Sequence, residues 1–300
     1  MGILKTITEE YFGDTIRKED EINIDGIDVE MVSFTDNNKK YHKIGYKPKD
    51  TYNLKKLLER MIKVRGDEGD FNDIDTSDIK SMESLFKDNE TFNGDITGWD
   101  VSRVKHMKNM FKNVYSFNKP IGKWDVSSVE NMMCMFEGAT SFNQPIGNWK
   151  VSKVENMAYM FNYAESFNQP IGDWKVKNVK YMSYMFNYAT SFNQLIDKWN
   201  VSNVENMSCM FSNATSFNQP IGNWNVSKVI SMSYMFKNAK SFNQQIDDWN
   251  LRNVIDITGM FYNAKSFNQD LSKWDLTEKE TIDFFISCPI KDEYKPKMNK

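Results

Sequence analysis

The side chains that could carry out catalysis are few in this sequence and lie far apart. The 300 residues include two histidines, His42 and His106, and three cysteines, Cys134, Cys209 and Cys288. Neither histidine has a partner at the spacing of a metal site or a catalytic dyad, and the sequence lacks the motifs HExxH, GxSxG and GxxxxGK[ST]. These observations predict a protein that is not an enzyme and that holds no metal ion or cofactor.

One short segment has part of the composition of a calcium loop. Glu21, Asn23, Asp25 and Gly26 resemble the first half of such a loop, in which side-chain oxygens bind the ion. The twelfth position, where a calcium loop has a glutamate, holds Val32. We therefore expect no calcium site, and the Asp25-Gly26 pair instead suits the type I′ turn of a β-hairpin over residues 22–31.

The cysteines have an equally simple explanation. Cys134 and Cys209 occupy the same position of a repeated sequence, three repeats apart. Strands of neighbouring repeats would lie ~4.8 Å apart, which separates these two cysteines by roughly 14 Å. Because the Cα atoms of a disulfide lie within ~7 Å of each other, we expect free thiols.

The repeat is the strongest pattern in the chain. Asparagine and phenylalanine recur in it at a constant step, for example at Asn168 and Asn193 and at Phe161 and Phe186. A fixed period of this length is typical of a solenoid, in which each unit buries its apolar face against the next. Tryptophan recurs every 25 residues without insertion or deletion, at Trp99, Trp124, Trp149, Trp174, Trp199, Trp224, Trp249 and Trp274.

Each repeat contains the signals of one strand and one helix. Residues 149–151 alternate and favour a strand, and Ser152 with Glu155 forms a capping box. A helix of about three turns would follow, because the next apolar residues have the spacing of one helix face: Met157, Met160, Phe161 and Ala164. The recurring Asn168 predicts a ladder of side-chain amides that satisfy turn backbone groups. An alternative is a wholly β triangular solenoid, since a three-residue step also fits Val151, Val154, Met157 and Met160.

The spacing of strands and helices then determines the overall shape. Strands pack ~4.8 Å apart, whereas helix axes need roughly 8–10 Å. A stack with strands on one side and helices on the other must therefore curve, with its sheet on the concave side. Parallel strands joined through a helix wind in a right-handed sense. The sequence predicts a right-handed α/β solenoid of 25-residue repeats.

The repeats do not reach either end of the chain. Residues 1–70 predict a small α+β region, and residues 71–288 predict the solenoid, with degenerate first and last repeats as caps. Residues 289–300 form a charged tail that we expect to be frayed. The N-terminal region would end in a helix over residues 48–65, begun by Asp50 or Thr51, with an apolar stripe that covers the first repeat: Leu54, Leu57, Leu58, Met61 and Ile62.

The motif W-x-V-S-x-V-x-x-M-x-x-M-F-x-x-A-x-S-F-N-Q-x-I resembles the repeat of BspA-family leucine-rich-repeat surface proteins, over about Phe71 to Cys288. The resemblance implies a leucine-rich-repeat-like solenoid and a role in adhesion and protein binding at a bacterial surface. This chain departs from the family in using valine, methionine, phenylalanine and tryptophan where leucine is usual. Its first residues, M-G-I-L-K-T-I-T-E-E, have neither the apolar stretch of a secretory signal nor a lipobox cysteine. A surface location and a cytoplasmic one therefore both stay open.

Charge and hydropathy limit the possible partners. The 38 basic and 41 acidic residues give a net charge of −3, which argues against a nucleic-acid partner. No run approaches the ~18 apolar residues of a membrane-spanning helix. We expect a protein or glycan ligand, and the sequence does not indicate the oligomeric state.

The positions that vary between repeats define the candidate binding surface. Residues on either side of each tryptophan would point outward, where packing does not dictate their type. They form two columns of mixed charges and amides, which suit hydrogen bonding to a polar partner. The column before the tryptophans holds Lys123, Asn148, Asp173, Lys198, Asn223 and Asp248, and the column after them holds Asp125, Lys150, Lys175, Asn200, Asn225 and Asn250.

One position of the predicted helix varies as well, and it places Tyr159 beside Tyr184 on another face. The sequence thus predicts a non-enzymatic binding module, adhesin-like or a scaffold, that engages its ligand through the concave face. The alternative is a structural spacer or self-assembling subunit without a separate ligand.

Overall fold

The computed structural model describes residues 25–35 and 42–298. In these ranges the N-terminal region contains strand β1 (Val29–Thr35), strand β2 (His42–Pro48) and helix α1 (Thr51–Arg65). The two strands pair antiparallel, with Val29 opposite Pro48. A short 3₁₀ helix, Asp292–Tyr294, lies near the C terminus.

The first residues of the predicted hairpin and calcium loop fall outside the described residues. Positions 21–24 belong to that undescribed part, so the strand expected before the turn has no structural description. Asp25 and Gly26 do form a turn, and Gly26 has a φ of 71°. The segment after the turn continues as β1, which pairs with β2.

Helix α1 begins and packs as its sequence predicts. The Asp50 side chain accepts a hydrogen bond from the backbone N–H of Asn53, which caps the helix N terminus. The buried face consists of Leu54, Leu57, Leu58 and Met61 and joins the core of the repeats. Two polar contacts attach the helix to the first repeat. The Thr51 hydroxyl donates to the carbonyl of Ser81 at 2.6 Å. At the other end, Arg65 donates two bonds of 2.7 and 2.8 Å to the carboxylate of Asp73.

Successive repeats lie side by side in register. Parallel bridges connect equivalent residues 25 positions apart, for example Asn131 with Asn156 and Asn156 with Tyr181. The apolar residues of each repeat stack on those of the next, with ring centroids 6.3 Å apart for Trp174 and Trp199. Tryptophan, phenylalanine and methionine from all repeats form one continuous buried cluster. We call each 25-residue unit of this stack a coil.

The three-turn helix predicted for each repeat is wrong. In residues 157–164, turn bonds run from the N–H of Met160 to the carbonyl of Met157 and from the N–H of Asn162 to the carbonyl of Tyr159. The intervening N–H groups leave the coil, and that of Tyr159 donates to the carbonyl of Ser183 at 2.9 Å. Tyr159 and Tyr163 have φ values of 60° and 58°, which an α-helix cannot accommodate. A positive φ at the third residue is what a type II turn requires, so the chain forms consecutive turns here.

The backbone hydrogen bonds that connect this stretch to neighbouring coils all have the same direction. The N–H groups of Met157, Tyr159, Phe161 and Tyr163 donate to the following coil, and the carbonyls of the equivalent stretch accept from the preceding one. We call residues 157–164 and their equivalents the ladder. In the last coil the corresponding donors reach the edge of the stack. Within the described chain, none of the N–H groups of Thr281, Asp283, Phe285 and Ser287 donates a hydrogen bond.

The strand predicted around each tryptophan is also wrong. Between residues 168 and 179 no backbone-to-backbone hydrogen bond of the described structure connects this coil to its neighbours. The indole Nε1 of Trp174 donates instead to the carbonyl of Ile146 in the preceding coil, at 3.1 Å. The predicted capping box of Ser152 and Glu155 is absent, because no helix begins there. The Glu155 carboxylate instead pairs with Lys180 at 2.8 Å.

The predicted asparagine ladder is present. The side-chain oxygen of Asn168 accepts from the backbone N–H of Asn193 at 2.9 Å and from the amide of Gln194 at 3.0 Å. The same arrangement repeats along the stack and ends at Lys291, whose N–H donates to Asn268. These asparagines are half-buried.

The C-terminal tail packs on the last coil, so the expectation of a frayed tail is wrong through residue 298. The N–H of Leu276 donates to the carbonyl of Lys297, and the N–H of Leu271 donates to that of Tyr294. Ile290 is buried, and Met298 packs against the core. The apolar residues between the charges therefore attach the tail to the stack.

Candidate binding surface

The two columns beside the tryptophans lie at the surface. All twelve residues are exposed: Lys123, Asn148, Asp173, Lys198, Asn223, Asp248, Asp125, Lys150, Lys175, Asn200, Asn225 and Asn250. The tryptophans between the columns are buried, so each coil presents two polar side chains separated by one core residue. The columns do not lie on a sheet, because this stretch has no strand in the described structure.

The column after the tryptophans is partly determined by local structure. The side-chain oxygens of Asn200 and Asn225 accept the backbone N–H two residues later, at 3.2 and 3.1 Å. Asp125 does the same with Ser127, whose hydroxyl and N–H lower the pKa of that carboxyl. The expectation that packing leaves these positions unconstrained is wrong here, because asparagine and aspartate close the following turn. Lys150 and Lys175 make no such bond.

The column before the tryptophans contains charges that pair between coils. Lys198 lies 3.5 Å from Asp173. At its C-terminal end, Lys273 contacts both Asp247 and Asp248, and these hydrogen bonds raise the pKa of Lys273 to about 12. These exposed pairs orient side chains but contribute little to stability.

A charged groove runs beside the columns. It has a volume of about 530 Å³ and alternates lysine, glutamate and asparagine along the stack. Two of its three carboxylates pair with cations of adjacent coils, with Lys105 3.0 Å from Glu130 and Lys180 2.8 Å from Glu155. This arrangement suits a solvated polar face.

The tyrosines of the ladder form a second surface feature. Tyr159 stacks on Tyr184 with ring centroids 4.5 Å apart, and Tyr163 stacks on Tyr188 at 4.4 Å. The adjacency of Tyr159 and Tyr184 was expected from the repeat. The pairing of Tyr163 and Tyr188 was missed, although both tyrosines stand at one position of the 25-residue repeat and could have been found there.

The three cysteines are free, as expected. Burial raises the pKa of Cys134 to about 12 and that of Cys288 to about 11. Burial also raises the pKa of Cys209. These thiols stay protonated near neutral pH, and a protonated thiol is a poor nucleophile and metal ligand.

The rest of the described chain offers no group of three or more histidine, cysteine, aspartate or glutamate side chains that could hold a metal ion. His106 lies directly before the ladder of its coil, and its backbone bridges to Ser81 and to Asn131. No helix in residues 25–35 and 42–298 has the length and apolar character needed to cross a membrane.

Comparison with known proteins gives one result. A family model described as "Mycoplasma protein of unknown function, DUF285" matches residues 52–169, 119–212 and 194–290. No curated protein and no solved structure matches the chain. The resemblance to BspA-family surface proteins therefore stays a prediction. The three matches overlap and together span most of the chain, which thus belongs to the DUF285 family.

Proposed function

We propose that this chain is a non-enzymatic binding module, adhesin-like or a scaffold, which engages a protein or glycan through the two columns beside the tryptophans. The observation that carries the proposal is the regular exposure of polar side chains on a rigid support. Twelve exposed residues alternate with buried tryptophans, one pair to each coil.

The support for these columns comes from both backbone and side chains. Each coil donates four backbone hydrogen bonds to the next through its ladder, and its tryptophan donates one more to the preceding coil. We infer that this stack is a solenoid of the leucine-rich-repeat kind without the repeat helices. A ligand that contacts several coils at once would meet side chains already held in place, which lowers the entropy lost on binding.

The columns contain charges of both signs together with amides. Lys150 and Lys175 lie in adjacent coils and lack the turn bond that occupies Asp125 and Asn200. Asp173 lies in the other column of the Lys175 coil. These three exposed groups, of which Asp173 also contacts Lys198 at 3.5 Å, form the centre of the proposed site, and they suit a neutral or mixed-charge polar partner.

The test replaces Lys150, Asp173 and Lys175 together with serine. Fluorescently labelled full chain is applied to an array of purified glycans and bacterial and host surface proteins. We expect the triple variant to lose at least about tenfold in affinity for whichever probe the original chain binds, because each charged contact contributes about 1 kcal/mol or more.

The matched control replaces Glu165, Lys240 and Lys265 with serine. These residues are also exposed and give the same change in net charge from another stretch of the repeats. The control should bind as the original chain does. Equal binding by both triple variants would contradict the assignment of the columns, and a chain that binds nothing on the array would favour the structural-spacer alternative.

A further inference from the structure

The ladder carries a second surface that does not depend on the columns. In each coil, four ladder positions stay outside the apolar core cluster, those of Ala158, Tyr159, Asn162 and Tyr163. In this coil Tyr163 is exposed and Tyr159 half-buried, whereas Ala158 and Asn162 are buried. We call these positions the ladder face. Across the three central coils, 157–163, 182–188 and 207–213, the ladder face contains only alanine, tyrosine, asparagine, serine and cysteine. Charged residues appear only in the coils beyond these three.

The central tyrosines are not explained by the needs of the fold. Tyr163 and Tyr188 are 43% and 37% exposed, and both have positive φ values, 58° and 56°. Bulky residues rarely adopt this backbone conformation, and the equivalent positions of later coils hold Asn213 and Asn238 at similar φ. Strain maintained at an exposed site is a reason to look for a binding role.

We propose that the ladder face binds a second copy of this chain in an antiparallel, face-to-face dimer whose two-fold axis lies along coil 182–188. Tyrosine, serine and asparagine are the residues that protein-binding loops use for rigid, adaptable contacts. An uncharged centre can face its own copy without electrostatic repulsion. Tyr184 and Tyr188 then meet the same residues of the second copy.

The flanking residues are complementary under this symmetry. The axis places each coil opposite the coil equally far on the other side of 182–188. Glu137, whose carboxylate binds Lys112 and the amide of Asn162 in its own chain, then faces the second copy's Lys237, and Lys112 faces its Tyr262. No charged residue of the ladder face between coils 107–113 and 257–263 meets a like charge.

Side-chain size follows the same pattern. Opposite the large Tyr159 lies the second copy's Cys209, and opposite Cys134 lies its Tyr234; both cysteines are buried. Large residues therefore meet small ones away from the axis, as a well-packed isologous interface requires.

The charged residues favour this register of the two copies over its neighbour. If one copy moved along the stack by one coil, so that coil 107–113 faced coil 232–238, Lys112 would lie opposite the second copy's Lys237. The seven coils involved extend about 34 Å along the stack at ~4.8 Å per coil. A surface of this length with few charges suits a dimer that forms reversibly.

The experiment exchanges the charges across the axis. Sedimentation equilibrium of the full chain between about 1 and 100 µM measures the dimer dissociation constant. We expect Glu137→Lys and Lys237→Glu each to weaken the dimer about tenfold, since each creates a like-charge contact. The double variant E137K/K237E should recover to within about threefold of the original affinity.

Recovery by the double variant cannot arise within one chain. Residues 137 and 237 are four coils apart, about 19 Å, which exceeds the Debye length of about 8 Å at physiological salt. Glu137 also lies 2.8 Å from Lys112 in its own chain, so Glu137→Lys could disturb folding. Lys237→Glu leaves that pair intact and tests the same contact, and thermal unfolding checks each variant.

Tyr188→Asp adds a central test, because this position faces itself and would place two carboxylates together. It should abolish the dimer, whereas Tyr115→Asp, an exposed tyrosine outside the ladder face, should leave it unchanged. A chain that stays monomeric at 100 µM would overturn the proposal. So would a dimer that ignores the single charge changes or is not restored by the double one. The test contains no ligand, so its result is independent of the proposed function.

Discussion

Residues 157–164 and residues 171–179 of one repeat are joined to the neighbouring coils in different ways. The first stretch uses its backbone, with four N–H groups donating to the next coil. The second uses side chains, above all the indole of Trp174 and the ring stacking of tryptophans. Outside its core residues, the first stretch therefore tolerates side-chain changes that respect its turns, whereas the contacts of the second depend on the identity of a few residues.

The largest effect is expected in the tryptophan stretch. Trp174→Ala should destabilise the chain by roughly 3–5 kcal/mol, because it removes a buried ring and leaves the carbonyl of Ile146 without its indole donor. Coupling runs only between adjacent coils, so urea unfolding should divide into two transitions. Trp174→Phe, which retains an aromatic ring without the N–H, should lose less. A single transition with unchanged slope would argue against this account.

The asparagine ladder should come next. Asn168→Ala removes the acceptor of both the Asn193 N–H and the Gln194 amide, and we expect a loss of about 1–3 kcal/mol in urea unfolding. Asn168→Asp retains an acceptor oxygen and should be milder. A loss below about 0.5 kcal/mol for the alanine variant would show that water replaces these bonds.

The effect of a ladder substitution on stability should depend more on whether the new residue tolerates a positive φ than on its size. Tyr188→Asn should change stability by no more than about 1 kcal/mol, because relief of left-handed strain offsets the lost stacking on Tyr163. Tyr188→Val should be worse than Tyr188→Asn by about 2 kcal/mol, since a β-branched residue does not suit φ of 56°. Equal stability of the two variants would contradict the role given to the turns.

The exposed columns should matter least for folding. Replacing Lys150, Asp173 and Lys175 with serine should change the free energy of unfolding by less than about 1 kcal/mol, as usual for surface sites. Urea unfolding of this variant beside the Glu165, Lys240 and Lys265 control provides the measurement. A larger loss would mean that the columns support the stack.

A pH effect should accompany the turn at Asp125. The Ser127 hydroxyl and N–H hold the pKa of this carboxyl below its usual value of about 3.9. A lowered folded-state pKa gives stability that is present above the unfolded value and is lost as the pH falls through the folded one. Asp125→Asn keeps the turn acceptor and should remove this dependence. NMR titration of the Asp125 carboxyl tests the sign, and a raised pKa would contradict it.

The sequence predicted the features that depend on side-chain type and failed where backbone conformation decided. The 25-residue step, the stacked tryptophans, the asparagine ladder and helix α1 followed from apolar spacing and capping residues. The repeat helix did not, because Met157, Met160, Phe161 and Ala164 point to the core equally well from consecutive turns. The helical spacing of apolar residues carries no information about a positive φ. A tyrosine at such a position also does not indicate a positive φ, whereas a glycine would.

The candidate surface shows the same limit. The exposure of the columns could be predicted from the tryptophans between them. The turn bonds of Asp125 and Asn200 could not, since they depend on a backbone that does not form the expected strand. The recurrence of asparagine or glycine at the position of Tyr163, in Asn113, Gly138 and Asn213, was a signal for positive φ that reasoning from apolar spacing overlooked.

The central claim is that the ladder joins coils through backbone N–H groups that donate to the following coil. Amide hydrogen exchange of the last coil tests this claim. The N–H groups of Phe284, Ile286 and Cys288 donate within the coil, whereas those of Thr281, Asp283, Phe285 and Ser287 have no acceptor in the described chain. We predict fast exchange over residues 281–283 and alternating slow and fast exchange along residues 284–288, with uninterrupted protection over residues 157–164 of an inner coil. Uniform protection of residues 281–288, as in an α-helix, would contradict the account.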